Sequence, residues 1–252
     1  MSKIQLPFTT LHNVKMVVFD KDGTLIDIHH YWCSMIQFRA SFFLKTLVDG
    51  IDKEKVYAHL IDAMGIDANN KMKPEGPVGI KPRSFIEKRA LEVLHLYDTE
   101  YTLEQVQEVF LKVDEYSKEH LHEIVQPLQG VKALLENLQK NGVMMSIATT
   151  DRTQRAMLAM QTLHLDTFFE DIVGADKVLH PKPSGDLVRY IADRHHIEMD
   201  EIVVVGDSMA DLLMAQDAQC RFIGVKTGLY TKRFLQESSY LIEHLAQMEV
   251  CV

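Results

Sequence analysis

The sequence Val14–Asp27, VKMVVFDKDGTLID, decides how the rest of the chain is interpreted. Its first part, Val14–Phe19, is nearly continuous in apolar side chains and rich in valine, which is typical of a strand buried on both faces of a parallel sheet. The apolar run stops abruptly at Asp20. Asp20 and Asp22 lie two residues apart, so both side chains can point the same way from an extended backbone, and Gly23 lets the chain turn sharply beyond them.

The pattern after this strand changes once along the chain. Residues 27–122 are predicted to be almost wholly helical, and the later residues alternate between helices and short apolar runs. The elements predicted there are helices over 131–140, from about 152, over 184–195 and from about 209, and strands over 143–148, near 172–173, over 201–205 and over 221–225. Such alternation predicts a parallel, doubly wound α/β sheet. The simplest assembly is a Rossmann-like core, residues 1–26 and 123–252, with an all-helical domain, residues 27–122, inserted into it.

Acidic residues follow two of the predicted strands. Asp20 and Asp22 follow the first strand, and Asp207 follows the strand over 201–205. Because ligands of open parallel sheets bind at the carboxyl ends of the strands, we expect these three side chains to converge. Carboxylates gathered without a cation would repel one another, so the cluster indicates a hard divalent ion, Mg²⁺, held by oxygens. The alternative is that each aspartate caps the helix that follows it.

Hydroxyl and amine groups accompany these acids. Thr149 and Thr150 lie between a strand and a helix, where hydroxyls and backbone N–H groups suit a phosphate oxygen, although capping would explain them equally well. Lys182 is flanked by two prolines, which limit where its ammonium can point, whereas a lone lysine is usually a solvated surface group. Asp211 matches a capping box with Ser208 and could also orient Lys182.

Four segments carry a resemblance to a known family. FDKDGTLID at 19–27, the strand end at Thr149, Lys182 and VVVGDSMAD at 203–211 resemble, in this order, the four motifs of the haloacid dehalogenase superfamily. The resemblance covers the whole chain and is strongest to phosphoglycolate phosphatase-like members. It implies a Rossmann-like core, and the helical insertion is similar to a cap domain placed directly after the first motif.

The resemblance also implies a reaction. Asp20 would be the nucleophile that becomes an aspartyl-phosphate, and Asp22 would protonate the leaving alkoxide and then activate water. Mg²⁺ would be held by Asp20, the carbonyl group of Asp22 and Asp207. An acid at position 22 indicates phosphate esters rather than halides, because a halide leaves without protonation.

The remaining family positions would bind the phosphoryl group. Thr149, together with Thr150, would contact its oxygens, Lys182 would neutralise its charge, and Asp211 would position that lysine or a metal-bound water. The expected partner is therefore a small phosphorylated metabolite. A Mg²⁺-dependent phosphatase of phosphate monoesters, with phosphoglycolate the favoured substrate, is the leading hypothesis. A phosphomutase similar to β-phosphoglucomutase, or a phosphonatase, on the same core is the alternative.

Substrate choice would depend on the helical insertion, which matches the family only loosely. Arg83 is its best candidate for binding a substrate carboxylate, because a guanidinium pairs with a carboxylate through two hydrogen bonds. The competing interpretation is a helix that begins near Pro82 and has a solvated basic face. The core departs from the family at Gln219, where members usually have glycine; if this position requires a positive φ, glutamine costs about 1 kcal/mol.

Composition excludes several other classes of protein. The chain has 252 residues, with 27 Lys and Arg against 36 Asp and Glu, and a net charge of −9 argues against generic binding to nucleic acid or anionic membranes. The three cysteines are an odd number and lack metal-ligand spacing. The sequence also shows no apolar leader and no membrane-spanning run. Together these features predict a reduced, cytoplasmic location. A nicotinamide enzyme is disfavoured, because no GxGxxG follows any predicted strand. The sequence does not indicate an oligomeric state.

Overall fold

The computed structural model describes residues 2–73, 76–78, 81–228 and 231–251. The strands are β1 (Lys3–Leu6), β2 (Thr9–Leu11), β3 (Met16–Phe19), β4 (Met144–Ala148), β5 (Asp171–Val173), β6 (Ile202–Gly206), β7 (Arg221–Val225), β8 (Leu241–Ile242) and β9 (Glu249–Cys251). The helices are α1 (Ile28–Leu44), α2 (Lys53–Met64), α3 (Arg83–His95), α4 (Leu103–Glu119), α5 (Leu121–Ile124), α6 (Val131–Lys140), α7 (Thr153–Thr162), α8 (Asp186–His195), α9 (Met209–Asp217) and α10 (Lys232–Glu237).

The main sheet is parallel, in the order β5-β4-β3-β6-β7-β8. Strand β3 pairs with β4 on one side and with β6 on the other, and Phe19 lies opposite both Ile147 and Val205. The carboxyl ends of these three strands therefore lie side by side. This register places Asp20 next to the residues that follow β4 and β6, and it confirms the predicted parallel α/β fold.

Burial explains why the central strands read as continuous apolar runs. Every residue of β3 and of β6 is buried, as expected for a parallel strand covered on both faces. On one side, Leu187 and Ile191 of α8 and Leu212 of α9 pack into a cluster with the side chains of these strands. Removing such side chains from water supplies the main stabilisation of the sheet.

A second, antiparallel sheet was not predicted from the sequence. In it β1 lies between β2 and β9, and Ile4 is paired with Leu11 on one side and with Val250 on the other. Strands of three or four residues contain too few alternations to show a period. The pairing of β1 with β9 also joins the two ends of the chain, and no local pattern encodes such a contact.

The chain divides into two compact units, residues 1–28 with 125–252, and residues 29–124. The second unit contains the helices α2 to α5 and nearly all of α1. Its helix α4 begins at a capping box formed by Thr102 and Gln105, and buries Val106, Phe110 and Val113 on one face, the spacing expected of an amphipathic helix. No helix within the described ranges has both the length and the apolar character that crossing a membrane requires.

At Gln219, where members of the resembled family usually have glycine, the backbone adopts a positive φ. Gln219 lies between α9 and β7 with a φ of 59°, in the left-handed region that glycine adopts without a steric penalty. Its side chain is exposed, so no packing contact compensates for this conformation.

Replacing this residue tests the strain. We expect Gln219→Gly to raise the free energy of unfolding by about 0.5–1 kcal/mol, because relief of the left-handed penalty exceeds the entropy gained by the unfolded chain. Gln216→Gly, the same change in the exposed part of α9, is the matched control and should lower it by about 1 kcal/mol. Urea denaturation of both variants measures the difference, and equal destabilisation by both would contradict the interpretation.

Candidate active site

Lys182 joins two of the predicted acidic residues. Its Nζ lies 2.6 Å from Oδ1 of Asp20 and 2.5 Å from Oδ1 of Asp211. All three side chains are buried, and that of Lys182 is only 1% exposed. A lysine is seldom buried so completely unless its charge is paired, so the interpretation of Lys182 as a solvated surface group is wrong.

Asp211 performs both of the tasks considered for it. Its Oδ2 accepts hydrogen bonds from Ser208 Oγ at 2.6 Å and from the Ser208 N–H at 3.1 Å, which closes the capping box at the start of α9. Its Oδ1 accepts from Lys182. One carboxylate thus begins a helix and holds the ammonium with separate oxygens.

Asp207 lies in a space that two glycines leave open. A Cβ atom added to Gly23 would lie 2.5 Å from Oδ2 of Asp207, and one added to Gly228 would lie closer still. Thr24 Oγ1 lies 3.5 Å from Oδ1 of the same carboxylate, a long hydrogen bond. A larger residue at either glycine position would displace Asp207.

Carboxylate oxygens of Asp20, Asp207 and Asp211 lie within 4.8 Å of one another. Burial raises the pKa of Asp20 from 3.8 to about 7, against the opposing effect of the Lys182 ammonium. Burial also raises the pKa of Asp207 well above its usual value, and the nearby Asp20 and Asp211 carboxylates add to this effect. Burial alone would lower the pKa of Lys182, but Asp20 and Asp211 outweigh it and raise that pKa. The cluster therefore contains three carboxylates but one ammonium, which contacts Asp20 and Asp211.

This excess of negative charge fits a divalent cation. Among the described residues, no lysine, arginine or histidine nitrogen forms an ion pair with Asp207, and buried oxygen ligands are those that Mg²⁺ prefers. Both oxygens of Asp211 are already engaged by Lys182 and Ser208. Asp20 and Asp207 are consequently the carboxylates best placed to contact a cation directly.

The side chain of Asp22 lies apart from this cluster. Its Oδ1 accepts a hydrogen bond from Lys21 Nζ at 2.6 Å, and the side chain is 24% exposed. Asp22 therefore differs from Asp20, which is buried and bound to Lys182. Two acids that lie two residues apart but in different environments can serve different roles, as acid–base chemistry requires.

Thr149 and Thr150 follow β4 in a loop, because α7 begins only at Thr153. Thr149 is buried, its N–H donates to the carbonyl of Val173, and its hydroxyl oxygen accepts from the Asp151 N–H at 3.1 Å. Thr150 is exposed. Among the described residues the Thr149 hydroxyl donates to no acceptor, whereas the N–H groups of Thr149, Asp151 and Arg152 are already engaged within the protein.

Arg83 lies in the helical unit, where it is paired with two acids. Its Nε lies 2.8 Å from Glu87 Oε1, and its Nη1 contacts Asp114. Both contacts compensate its charge, and the guanidinium side chain is 42% exposed. A structural role within the helical unit explains these contacts, and the binding of a substrate carboxylate stays a prediction.

Two residues of the site were missed in the sequence. Thr227 and Gly228 follow β7, and the Thr227 hydroxyl donates to the Gly23 carbonyl at 2.6 Å while Gly228 packs against Asp207. The signal was present: they follow the predicted strand over 221–225 just as Asp207 follows its own. Their partners, Gly23 and Asp207, lie in other segments of the chain, so nothing beyond their place after the strand marked them.

Comparison with known proteins places these residues in a family context. Residues 17–225 match the family model described as haloacid dehalogenase-like hydrolase. A phosphoglycolate phosphatase of Photobacterium profundum is 24% identical over 215 residues, which span 85% of this chain and 84% of that protein. The pyrophosphatase PpaX of Bacillus mycoides is 24% identical over 146 residues, 57% of this chain and 68% of that protein.

A solved structure shows the same fold. The crystal structure of a predicted phosphoglycolate phosphatase from Haemophilus somnus 129pt superposes with a TM-score of 0.68, at 19% identity, over 94% of this chain and 96% of that one. At this level of identity the likeness concerns the fold alone.

The crowded carboxylates predict how stability depends on pH. Because the pKa of Asp20 is raised to about 7 in the folded chain, folding favours its protonated form, and the corresponding stability is present below about pH 4 and lost as pH rises toward 7. In EDTA, Asp20→Asn should flatten this decline and raise the free energy of unfolding at pH 8 by about 1–3 kcal/mol above that of the wild type.

Addition of Mg²⁺ should raise the free energy of unfolding of the wild type at pH 8, but not that of Asp207→Asn.

Chemical denaturation between pH 4 and pH 8 measures these effects. Asp193→Asn, in the exposed part of α8, is the matched control and should leave the profile unchanged. A decline of equal slope in wild type and Asp20→Asn would show that Asp20 does not carry the pH dependence.

Proposed function

The chain belongs to the haloacid dehalogenase-like hydrolase family, and from this premise we propose that it is a Mg²⁺-dependent phosphatase of small phosphate monoesters. The observation that carries the proposal is the buried ammonium of Lys182, which lies between Asp20 and Asp211 with Asp207 in the same cluster. This arrangement has a nucleophile, a fixed positive charge and a place for a cation within a few ångströms.

Charge neutralisation is the first requirement of the reaction. A carboxylate that approaches a phosphate dianion at about 3.5 Å is repelled by roughly 9 kcal/mol at an effective dielectric near 20. Lys182 already contacts the attacking carboxylate and would reach the phosphoryl oxygens as they arrive. Mg²⁺, held by Asp20, Asp207 and the Asp22 carbonyl, would supply further positive charge to the phosphoryl oxygens.

Asp20 acts as the nucleophile in this proposal. Its Oδ2 attacks phosphorus, because Oδ1 accepts the hydrogen bond from Lys182, and the bond between phosphorus and the leaving oxygen breaks. Asp22 donates a proton to that oxygen and later takes one from the water that hydrolyses the aspartyl-phosphate. The Thr149 hydroxyl, with Thr150, would hold the phosphoryl oxygens during both steps.

Phosphoglycolate is the substrate that we propose. Its support is the likeness to the phosphoglycolate phosphatase of Photobacterium profundum, which extends over most of both chains. A phosphomutase would use the same core residues, and transfer of the phosphoryl group to a second hydroxyl would distinguish it. We also propose a cytoplasmic location, in keeping with cysteines 33, 220 and 251, which are free thiols.

Removing the nucleophile tests the reaction. We expect Asp20→Asn to reduce phosphate release from an aryl phosphate at least about 10³-fold, because an amide cannot form the phosphorylated intermediate. EDTA should inactivate the wild type, with recovery on adding Mg²⁺. The exposed Asp193→Asn variant should keep full activity, and undiminished turnover by Asp20→Asn would remove Asp20 as nucleophile.

A substrate panel tests the specificity. We expect kcat/KM for phosphoglycolate to exceed that for glycerol phosphate, glucose 6-phosphate and pyrophosphate by about tenfold or more.

A variant of Arg83 tests the binding of the substrate carboxylate. If Arg83 binds that carboxylate, Arg83→Met will raise KM for phosphoglycolate about tenfold and change KM for esters without a carboxylate by less than about twofold. Arg89→Met, which removes an exposed ion pair of α3, is the control. Equal losses on all substrates would assign Arg83 to the structure of the helical unit.

A further inference from the structure

Lys21 is a buried lysine for which the reaction described above has no role. It lies between Asp20 and Asp22, and its side chain is only 3% exposed. Its carbonyl group accepts hydrogen bonds from the N–H groups of Leu25 and Ile26, each at 2.9 Å, which close the turn after β3. Its ammonium is directed instead to two carboxylates.

The ammonium links Asp22 to the neighbouring loop. Lys21 Nζ lies 2.6 Å from Oδ1 of Asp22 and 3.4 Å from Oδ2 of Asp151. The first contact is a charge-assisted hydrogen bond and the second is an ion pair at longer range. The loop after β3 is thereby tied to the loop after β4, which also carries Thr149.

Asp151 is itself held in place. Its Oδ1 accepts from the Arg152 N–H at 2.8 Å, its carbonyl accepts from the Ala175 N–H at 2.9 Å, and its own N–H donates to Thr149 Oγ1 at 3.1 Å. Lys21 is therefore anchored to a carboxylate that the backbone already fixes. A fixed anchor lets a flexible lysine chain hold one position.

The pairing makes the two oxygens of Asp22 unequal. Oδ1 accepts from Lys21, and among the described residues no other group donates to Asp22. Because the Lys21 ammonium occupies Oδ1, Oδ2 is the oxygen of Asp22 that is left to contact a leaving group. The Asp22 side chain is 24% exposed, so the carboxyl group as a whole is not sealed from a substrate.

We propose that Lys21 is a positioning residue for the acid–base chemistry of Asp22. Its ammonium fixes the Asp22 carboxyl group against Asp151 and selects Oδ2 as the oxygen that exchanges the proton. This inference rests on the proposed phosphatase reaction and deepens it. As the bond between Asp20 and phosphorus forms and the ester P–O bond breaks, the Asp22 Oδ2 proton moves to the leaving oxygen. Oδ2 then recovers a proton from the attacking water when the aspartyl-phosphate is hydrolysed.

The dependence on the leaving group tests this role. An alkyl alkoxide requires a proton in order to leave, whereas p-nitrophenolate leaves without one, and kcat/KM reports the first phosphoryl transfer. We expect Lys21→Met to lower kcat/KM for phosphoglycolate about 30–100-fold and for p-nitrophenyl phosphate less than about threefold. Lys21→Arg, which keeps the charge and the donors, should recover most of the activity on phosphoglycolate.

A double-mutant cycle separates positioning from general damage. If Lys21 acts through Asp22, adding Lys21→Met to Asp22→Asn should change kcat/KM for either compound less than about twofold. Lys15→Met is the matched control. Lys15 directly precedes β3, at the end of the strand away from Asp20, and its Nζ lies 2.8 Å from Oε2 of Glu201. Lys15→Met removes the same charge and should leave both substrates unaffected.

The outcomes distinguish the inference from the proposed function. A wild type that releases no phosphate from either compound with Mg²⁺ overturns both. An active wild type in which Lys21→Met lowers kcat/KM equally for both compounds, or adds a further loss to Asp22→Asn, overturns the inference alone. If Lys21→Met does not fold, as judged by circular dichroism, Asp151→Asn decides. That variant keeps the lysine, and a selective loss on phosphoglycolate supports the inference, whereas an equal loss overturns it.

Discussion

The balance of charge around one buried ammonium is the constraint on which this molecule depends. Lys182 contacts Asp20 and Asp211 and is almost completely removed from solvent. Burial of a charge is tolerated only where opposite charge and hydrogen bonds compensate for lost hydration. Here the carboxylates outnumber the ammonium they compensate, because Asp207 adds a third carboxylate to the cluster. The three carboxylates of the cluster therefore outnumber its one ammonium, and the proposal of a bound cation depends on this imbalance.

The fold delivers these groups by sheet order and small residues. Because β3 lies between β4 and β6, the polar residues after each strand meet at one edge, where open parallel sheets bind their ligands. Gly23 and Gly228 leave the space that the Asp207 carboxylate occupies. Buried apolar strands thus support the site. The residues that pack against the Asp207 carboxylate are glycines, because a Cβ atom there would overlap with it.

Much of this could be predicted from the sequence, for a physical reason. The helix over 131–140 and the strand over 221–225 were predicted with the bounds that the structure shows, since long apolar periods and an Asn-Gly stop are local signals. The small sheet of β1, β2 and β9 was not predicted, because its strands are short and because β1 pairs with β9, which lies far from it in the sequence. Thr227 and Gly228 were overlooked because their partners, Gly23 and Asp207, lie in other segments of the chain.

The sequence by itself determined which chemical groups follow each strand, because strands, turns and caps depend on neighbours within a few residues. It could not determine which oxygen of each carboxylate is engaged. That Asp211 divides its oxygens between Ser208 and Lys182, and that Lys21 ties Asp22 to Asp151, was decided only by the tertiary structure. The reason is that the contacts of Lys182 with Asp211 and of Lys21 with Asp151 depend on the register of neighbouring strands, which brings together side chains that lie far apart in the chain.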